Sequence, residues 1–317
     1  MRIIVTGAGG FVGSRLVRLL ADHEVVALDS AVASIPALPN VTAMPGDICE
    51  TRVLDAAFAA GCDAVVHLAT VPGGAAEQDP NLARRVNVEA SMALAAASAR
   101  AGNRPRFVFA SSIAVFGNPL PASVDDATPL SPKLLYGAHK AMIEQWLATL
   151  TRRGEIDAIS LRLSGIVARP KGPSGMKSAF MSELFHALNR GQTFVMPVSA
   201  AATCWLTSVD RAVGNLAHAL TADLTNPPAE CAVTLPALRV PMGKLVNEIA
   251  LQTGGSAHLV TYSPDTALEA AFGALPPLFT PAAEKLGFSN DGDLSTLVAA
   301  TLNGMKVTDN RNATRNH

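Results

Sequence analysis

Charge is scarce in this sequence. Of 317 residues, 16% are Asp, Glu, Lys or Arg, and the formal net charge is -1. A chain so balanced has no electrostatic pull toward nucleic acid or an acidic membrane surface, so neither is expected as a partner. Cysteine is scarce too: Cys49, Cys62, Cys204 and Cys231 are scattered, with no CxxC and no histidine at metal-ligand spacing. Reduced, packed thiols are expected rather than a disulfide framework or a metal centre. No apolar run reaches the roughly 18 residues a membrane span requires. The first residues enter a strand pattern directly, without a basic leader or a small-residue cleavage site, and a cytoplasmic protein is expected on those grounds. What the chain does have is 49% hydrophobic residues. That is enough for one large α/β domain with a smaller lobe, or two modest domains.

Strand and helix patterns alternate through the first half. Strands are predicted at 2–6, 24–29, 41–44, 64–68, 106–111 and 158–163, with helices at 11–21, 52–60, 81–101 and 136–151 between them. Such alternation implies right-handed crossovers and a doubly wound, Rossmann-type parallel sheet covered on both faces. After about residue 166 the texture changes to shorter elements with more Pro and Gly. The expected division is therefore a dinucleotide-binding domain at 1–165, a smaller C-terminal substrate-binding lobe at 166–305, partly interleaved with the sheet, and a flexible tail at 306–317.

The glycines Gly7, Gly10 and Gly13 lie where the first strand turns into the first helix. Glycine there lets the backbone approach a pyrophosphate, which rests on the N–H groups of the helix start. Asp29 ends the second strand, where a carboxylate accepts hydrogen bonds from an adenosine ribose and repels a 2′-phosphate. The next residues, Ser30 to Ala33, include no Arg or Lys, so NAD is expected over NADP. Asp47, before Ile48, suits either the adenine amino group or a helix N-cap.

Tyr136 and Lys140 are four apart, one turn of a shared helical face. A lysine ammonium beside a phenol stabilises the phenolate and draws its pKa down from about 10. Ser112, arriving from a strand end, completes a set that moves a proton on an oxygen while a hydride moves on the adjacent carbon. His67 and His139 are the two histidines near this set; His139 reads as a packing or solvent residue. Arg169, Lys171 and Lys177 lie on the loop over the expected pocket and suit a substrate carboxylate, arginine in bidentate fashion.

Together these residues resemble the extended short-chain dehydrogenase/reductase superfamily, in its epimerase/dehydratase branch, over roughly residues 1–288. The resemblance rests on the glycine turn, Asp29, Asp47-Ile48, His67-Leu68-Ala69, Asn87, the 111–117 run Ser-Ser-Ile-Ala-Val-Phe-Gly, and Tyr136 with Lys140. It implies that Phe11 and Val12 line the pyrophosphate and that Leu68, Ala69 and Thr70 flank the ribose and nicotinamide. It further implies that Asn87 supports the active-site helix, and that Ser164 and Ile166 lie against the carboxamide. It also implies a homodimer through the 81–101 and 136–151 helices. Two departures matter. Ile113 and Ala114 stand where sugar-nucleotide dehydratases carry an acidic pair, and Thr203 stands where sugar-nucleotide enzymes carry a diphosphate-binding arginine. A narrower resemblance, through 111–117, 125–130, 162–170 and 205–208, is to the D-erythronate dehydrogenase group, which oxidises C2 of a four-carbon sugar acid with NAD. The expectation is an NAD-dependent dehydrogenase of a small sugar acid. The alternatives are a sugar or nucleotide-sugar epimerase and, of another class, an NAD(H)-sensing regulator.

Overall fold

The computed structural model describes residues 1–170, 177–225, 228 and 230–314; Lys171 of the expected pocket loop lies outside them. In chain order the first half runs β1 (Arg2–Thr6), α1 (Gly13–Leu19), β2 (Glu24–Asp29), β3 (Val41–Pro45), α2 (Thr51–Phe58), β4 (Ala64–His67), α3 (Gly73–Gln78), α4 (Pro80–Arg84) and α5 (Ser91–Ala101). It continues with β5 (Arg106–Ser112), α6 (Leu135–Arg152), β6 (Asp157–Leu163) and β7 (Gly165–Val167). The remainder comprises α7 (Phe180–Asn189), β8 (Phe194–Met196), β9 (Thr203–Ser208), α8 (Val209–His218), β10 (Ala232–Thr234), β11 (Leu238–Pro241), α9 (Met242–Thr253), β12 (Val260–Tyr262), α10 (Thr266–Phe272), α11 (Pro281–Lys285) and α12 (Leu294–Thr314).

Seven strands form one sheet in the order β10-β6-β5-β4-β1-β2-β3, and every neighbouring pair is parallel. Strands buried on both faces must be apolar at successive positions. Hence Ile3 and Val5 pack with Val66, Val108 and Leu161 against Leu16 of α1 and Leu216 of α8. Ile4, Val65, Phe107 and Phe109 face the other way, onto Leu54, Leu94, Ile143 and Leu147. Leu147 is fully buried; a side chain of that size contributes about 1.5–3 kcal/mol when withdrawn from water. The strand order reverses between β1 and β4, and the carboxyl ends there open the crevice in which such folds hold ligands.

A three-stranded sheet, β11-β9-β7, and a two-stranded one, β12-β8, cover a third core containing Phe180, Leu184, Phe185, Leu206, Leu245 and Val298. The chain returns to the main sheet for β10 only after passing through β8 and β9. The last helix, α12, packs against α8 and α9 and runs through Thr314, into the segment read as a tail. One predicted element differs in kind. The helix expected at 81–101 is interrupted by a π-helical turn, Arg85–Ala90, which carries Asn87. The extra residue in such a turn redirects one side chain and leaves no mark on the helical pattern.

Candidate active site

At the carboxyl end of β1 the chain turns so tightly that side chains would collide. Gly7 has φ +68°, and a Cβ on it would stand 2.7 Å from the Ala69 nitrogen. A Cβ on Gly13 would stand 2.1 Å from the Gly7 carbonyl oxygen. Gly10 is different: it is exposed, and a Cβ there would meet only that same oxygen at 3.2 Å. The protein's own packing explains Gly7 and Gly13, whereas Gly10 keeps the outer face of the turn open for another molecule's backbone-sized approach. Asp29 accepts hydrogen bonds from Gly9 N–H at 2.9 Å and Ala31 N–H at 2.8 Å, so the carboxylate expected at the ribose shapes the turn itself.

The other expected cofactor residues divide into those that line the crevice and those that build it. Phe11 and Val12 are half-buried beside α1. Asp47 accepts from Cys49 N–H at 2.9 Å, a short turn before α2, and Ile48 is buried in the core. Asn87 takes Val71 N–H at 2.7 Å and the Thr70 hydroxyl at 3.0 Å, and donates to Val71 O at 2.9 Å. It pins Thr70 and Val71 in the segment after β4, and the turn that carries it packs against α6, the helix the resemblance has it support. Ser164 is half-buried between β6 and β7, and the Ile166 side chain lies in the first core.

Ser112 ends β5, and its Oγ accepts from Ala114 N–H at 3.2 Å across the turn Ile113–Phe116. α6 starts against that turn. Glu77 of α3 accepts its Leu135 N–H at 2.7 Å, satisfying one of the helix's orphan donors. Gly137 makes the approach possible, since a Cβ there would lie 2.3 Å from Ala114 O. Tyr136 thereby comes to Ser112, whose hydroxyl interacts with the phenol. The Lys140 ammonium is buried, donates to Ala110 O at 2.7 Å, and lies 4.5 Å from the Phe109 ring centre and 5.6 Å from that of Tyr136.

The electrostatics differ from the expectation that Lys140 draws the phenol down. Burial pushes the Tyr136 pKa up, and the groups opposing that rise are Arg169 and then Ser112. Lys140 itself is lowered by burial to about 7, with Glu144 opposing the fall. His67 is a buried, neutral ring: burial, aided by Lys140, lowers it to about 3. Its Nδ1 lies 2.6 Å from Thr6 Oγ1 and its Nε2 2.8 Å from Ser91 Oγ. His139 is buried on the inner side of α6.

Of the cations expected over the pocket, Arg169 reaches the site. Its backbone is held on both sides by α7: its N–H donates to Ser182 Oγ at 3.0 Å, and its carbonyl lies 2.6 Å from His186 Nε2. The guanidinium lies 5.9 Å from the Phe11 ring centre and within electrostatic range of Tyr136. Among the described residues it has no carboxylate partner. Lys177 is exposed on the turn Lys177–Ala179. Thr203 is buried and donates to Leu275 O at 2.8 Å, so its side chain faces the protein. Trp205 is likewise core, its indole N–H on Pro276 O at 2.7 Å.

Comparison with known proteins follows this geometry. Residues 3–222 match the model of the NAD dependent epimerase/dehydratase family. The chain belongs to that family. It is an NAD-dependent oxidoreductase of the extended short-chain dehydrogenase/reductase type, and the open Gly10 turn with Asp29 behind it fits the dinucleotide. Within the family it is similar to D-erythronate dehydrogenase of Cupriavidus necator, 32% identical over 95% of this chain and 97% of that one. D-erythronate dehydrogenase of Haemophilus influenzae is also 32% identical, over 82% of this chain and 84% of the relative. Among solved structures, a nucleoside-diphosphate-sugar epimerase from Agrobacterium tumefaciens superposes with a TM-score of 0.84 at 28% identity, covering 94% of this chain and 92% of that one. Among the described residues no helix is long and apolar enough to cross a membrane.

Sequence reasoning missed Glu77, Gly137 and Glu144. Glu144 had a legible signal, since it continues the Tyr136–Lys140 spacing by one more turn. Gly137 had none, because its role depends on where β5 ends.

Proposed function

We propose that this protein is a dehydrogenase that oxidises a secondary hydroxyl of a small sugar acid, D-erythronate-like at C2, to a ketone. The observation that carries the reading is Arg169, a half-buried guanidinium held by α7 near Phe11 and within electrostatic range of the Tyr136 phenol, with no acidic partner among the described residues. A bidentate carboxylate is the ligand such a fork suits best. Thr203, turned into the protein, offers no cation for a sugar nucleotide's diphosphate. The similarity to the two D-erythronate dehydrogenases supports the same substrate class.

In this reading NAD rests on the glycine turn near Phe11 and Val12, with Asp29 toward its ribose, and when bound supplies the hydride acceptor. Tyr136, once ionised, takes the proton of the substrate hydroxyl as general base. Ser112 donates to the same oxygen and fixes its direction. Lys140 places a positive charge behind the phenol. Arg169 holds the carboxylate, so the carbon next to it presents its hydroxyl to Tyr136. Phe11, Leu68 and Ala69 exclude water around the reacting carbon.

Exposed Met142 and Trp146 on α6, with Met92 of α5 and Leu130, form an apolar face suited to a second copy of the chain. Homodimerisation through it belongs to the same proposal, and sedimentation of Trp146→Glu against the unmodified protein tests it. The catalytic reading is tested by supplying four- to six-carbon aldonates with NAD and following NADH absorbance. Stoichiometric release of NADH supports a dehydrogenase. Interconversion of sugars or sugar nucleotides without net NADH would favour the epimerase reading instead, to which the Agrobacterium tumefaciens relative points.

A further inference from the structure

Directly behind the proposed catalytic residues lies a charge pair with no access to solvent. Glu144, on α6 one turn beyond Lys140, is fully buried, and Arg162 on β6 is nearly so. The guanidinium grips the carboxylate through several hydrogen bonds: Nε lies 3.1 Å from both oxygens and Nη2 2.7 Å from Oε2. The Ser111 hydroxyl donates to Oε1, and Arg162 stacks 5.4 Å from the Phe116 ring centre. Ser111 and Arg162 are register partners across β5 and β6.

Three consecutive strand residues are thus tied to three turns of one helix. Ala110 takes the Lys140 ammonium, Ser111 donates to Glu144, and Ser112 meets Tyr136. A buried ion pair is costly to assemble, and an apolar pair of the same volume packs as well. The pair lies one helical turn from another buried charge, the Lys140 ammonium, and that neighbourhood points to its task.

We propose that Glu144, held by Ser111 and Arg162, is a positioning residue: it fixes the strand end that carries Ser112 and, one helical turn from Lys140, shares its negative charge between Arg162 and that buried ammonium. The charged or titratable groups around Lys140 are Glu144 and Tyr136 on its own helix, Arg162 on β6 and His67 on β4; Arg169 adds its charge at Tyr136. His67 is neutral, so Glu144 is the negative group within this set. The pull of Glu144 against burial keeps Lys140 at about 7 instead of lower. The proposal rests on the reading of Tyr136 and Lys140 as a working pair.

The test needs neither substrate nor cofactor. The chain has seven lysines, and their side-chain nitrogens can be labelled with nitrogen-15 and titrated by NMR, the Lys140 signal being assigned by its loss in Lys140→Met. Glu144→Gln keeps volume and hydrogen bonding but removes the charge, and leaves Arg162 uncompensated. The Lys140 midpoint should fall by about one pH unit or more. Should Glu144→Gln fold poorly, Glu144→Gln/Arg162→Met restores neutrality, and its midpoint should lie between those of the single variant and the unmodified protein. A Lys140 midpoint equal to that of the unmodified protein in these variants overturns the proposal. Tyr136→Phe separates this from the underlying reading: it should abolish most turnover while leaving the Lys140 titration nearly in place. Full activity in Tyr136→Phe would overturn the reading of the pair without moving the Glu144 result.

Discussion

Two guanidiniums lie near the Ser112–Tyr136 cluster, and the protein treats them differently. Arg162 is buried, and its guanidinium meets the Glu144 carboxylate through three contacts of 2.7 to 3.1 Å. Arg169 has its backbone fixed by Ser182 and His186 but no carboxylate among the described residues. Arg162 is buried and Arg169 half-buried, so each carries a desolvation cost, the larger at Arg162. For Arg162 that cost is offset inside the fold. For Arg169 it is left standing, and in the proposed function a substrate carboxylate would offset it on binding. On the proposed reading, the cation whose charge is already matched builds the site, and the one left unmatched is the candidate reader of a substrate carboxylate.

The phenol between them must be reactive for this contrast to have functional meaning. Tyr136→Phe keeps the ring and removes only the acidic hydroxyl. It should lower kcat by about 10²–10⁴ with NAD affinity nearly intact, measured by single-turnover kinetics where hydride transfer is limiting. A near-normal rate would detach both arginines from catalysis.

The two arginines should also separate in stability. Arg162→Met strands a buried carboxylate and should cost about 3–5 kcal/mol in denaturant unfolding. Arg169→Met removes an unmatched charge and should leave the unfolding midpoint unchanged or raise it. Equal losses would mean that Arg169 is matched within the fold after all.

Burial of His67 gives a third, pH-dependent expectation. Its folded pKa, about 3, lies below the ordinary value of 6.5. The unfolded chain therefore gains a proton first as pH falls. The stability that the neutral ring contributes is present above pH 6.5 and is lost as pH falls from 6.5 toward 3. At pH 5 the loss amounts to about 2 kcal/mol. Thermal melts at pH 7 and pH 5 should show a smaller difference in His67→Gln than in the unmodified protein.

The smallest effect is at the cofactor turn. Asp29→Ala should narrow the NAD-to-NADP preference in kcat/KM by a few-fold, on the order of 1 kcal/mol for an accessible charge. Because Asp29 also holds Gly9 and Ala31 N–H, the KM for NAD should rise as well. A ratio unmoved by the substitution would assign Asp29 to loop structure alone.

What the sequence disclosed follows from how local each requirement is. The glycine turn, Asp29 at the end of β2 and the Tyr136–Lys140 spacing are set by a few consecutive residues or by one helical turn, and each falls where it was expected. The parallel sheet was legible for the same reason, since each buried strand announces itself by its own apolar run. Glu144 and Arg162 are 18 positions apart, and their meeting depends on β5 and β6 pairing with Ser111 opposite Arg162. Asn87 was singled out by resemblance, but the π turn that carries it was not, because a π turn has no compositional signature. Asp47 was open between adenine and a helix start, and the structure gives it the Cys49 N–H. Arg169 was visible as a loop cation, but one of three; burial beside Tyr136 singles it out.

The most direct test of that distinction compares a sugar acid with its uncharged amide, in the unmodified enzyme and in Arg169→Met. The account predicts that the unmodified enzyme prefers the acid and that Arg169→Met loses about 10- to 100-fold in kcat/KM on the acid, chiefly through KM. Activity on the amide should change little, so the preference collapses. An acid-to-amide ratio that survives the substitution would contradict the assignment of Arg169 as the residue that reads the carboxylate.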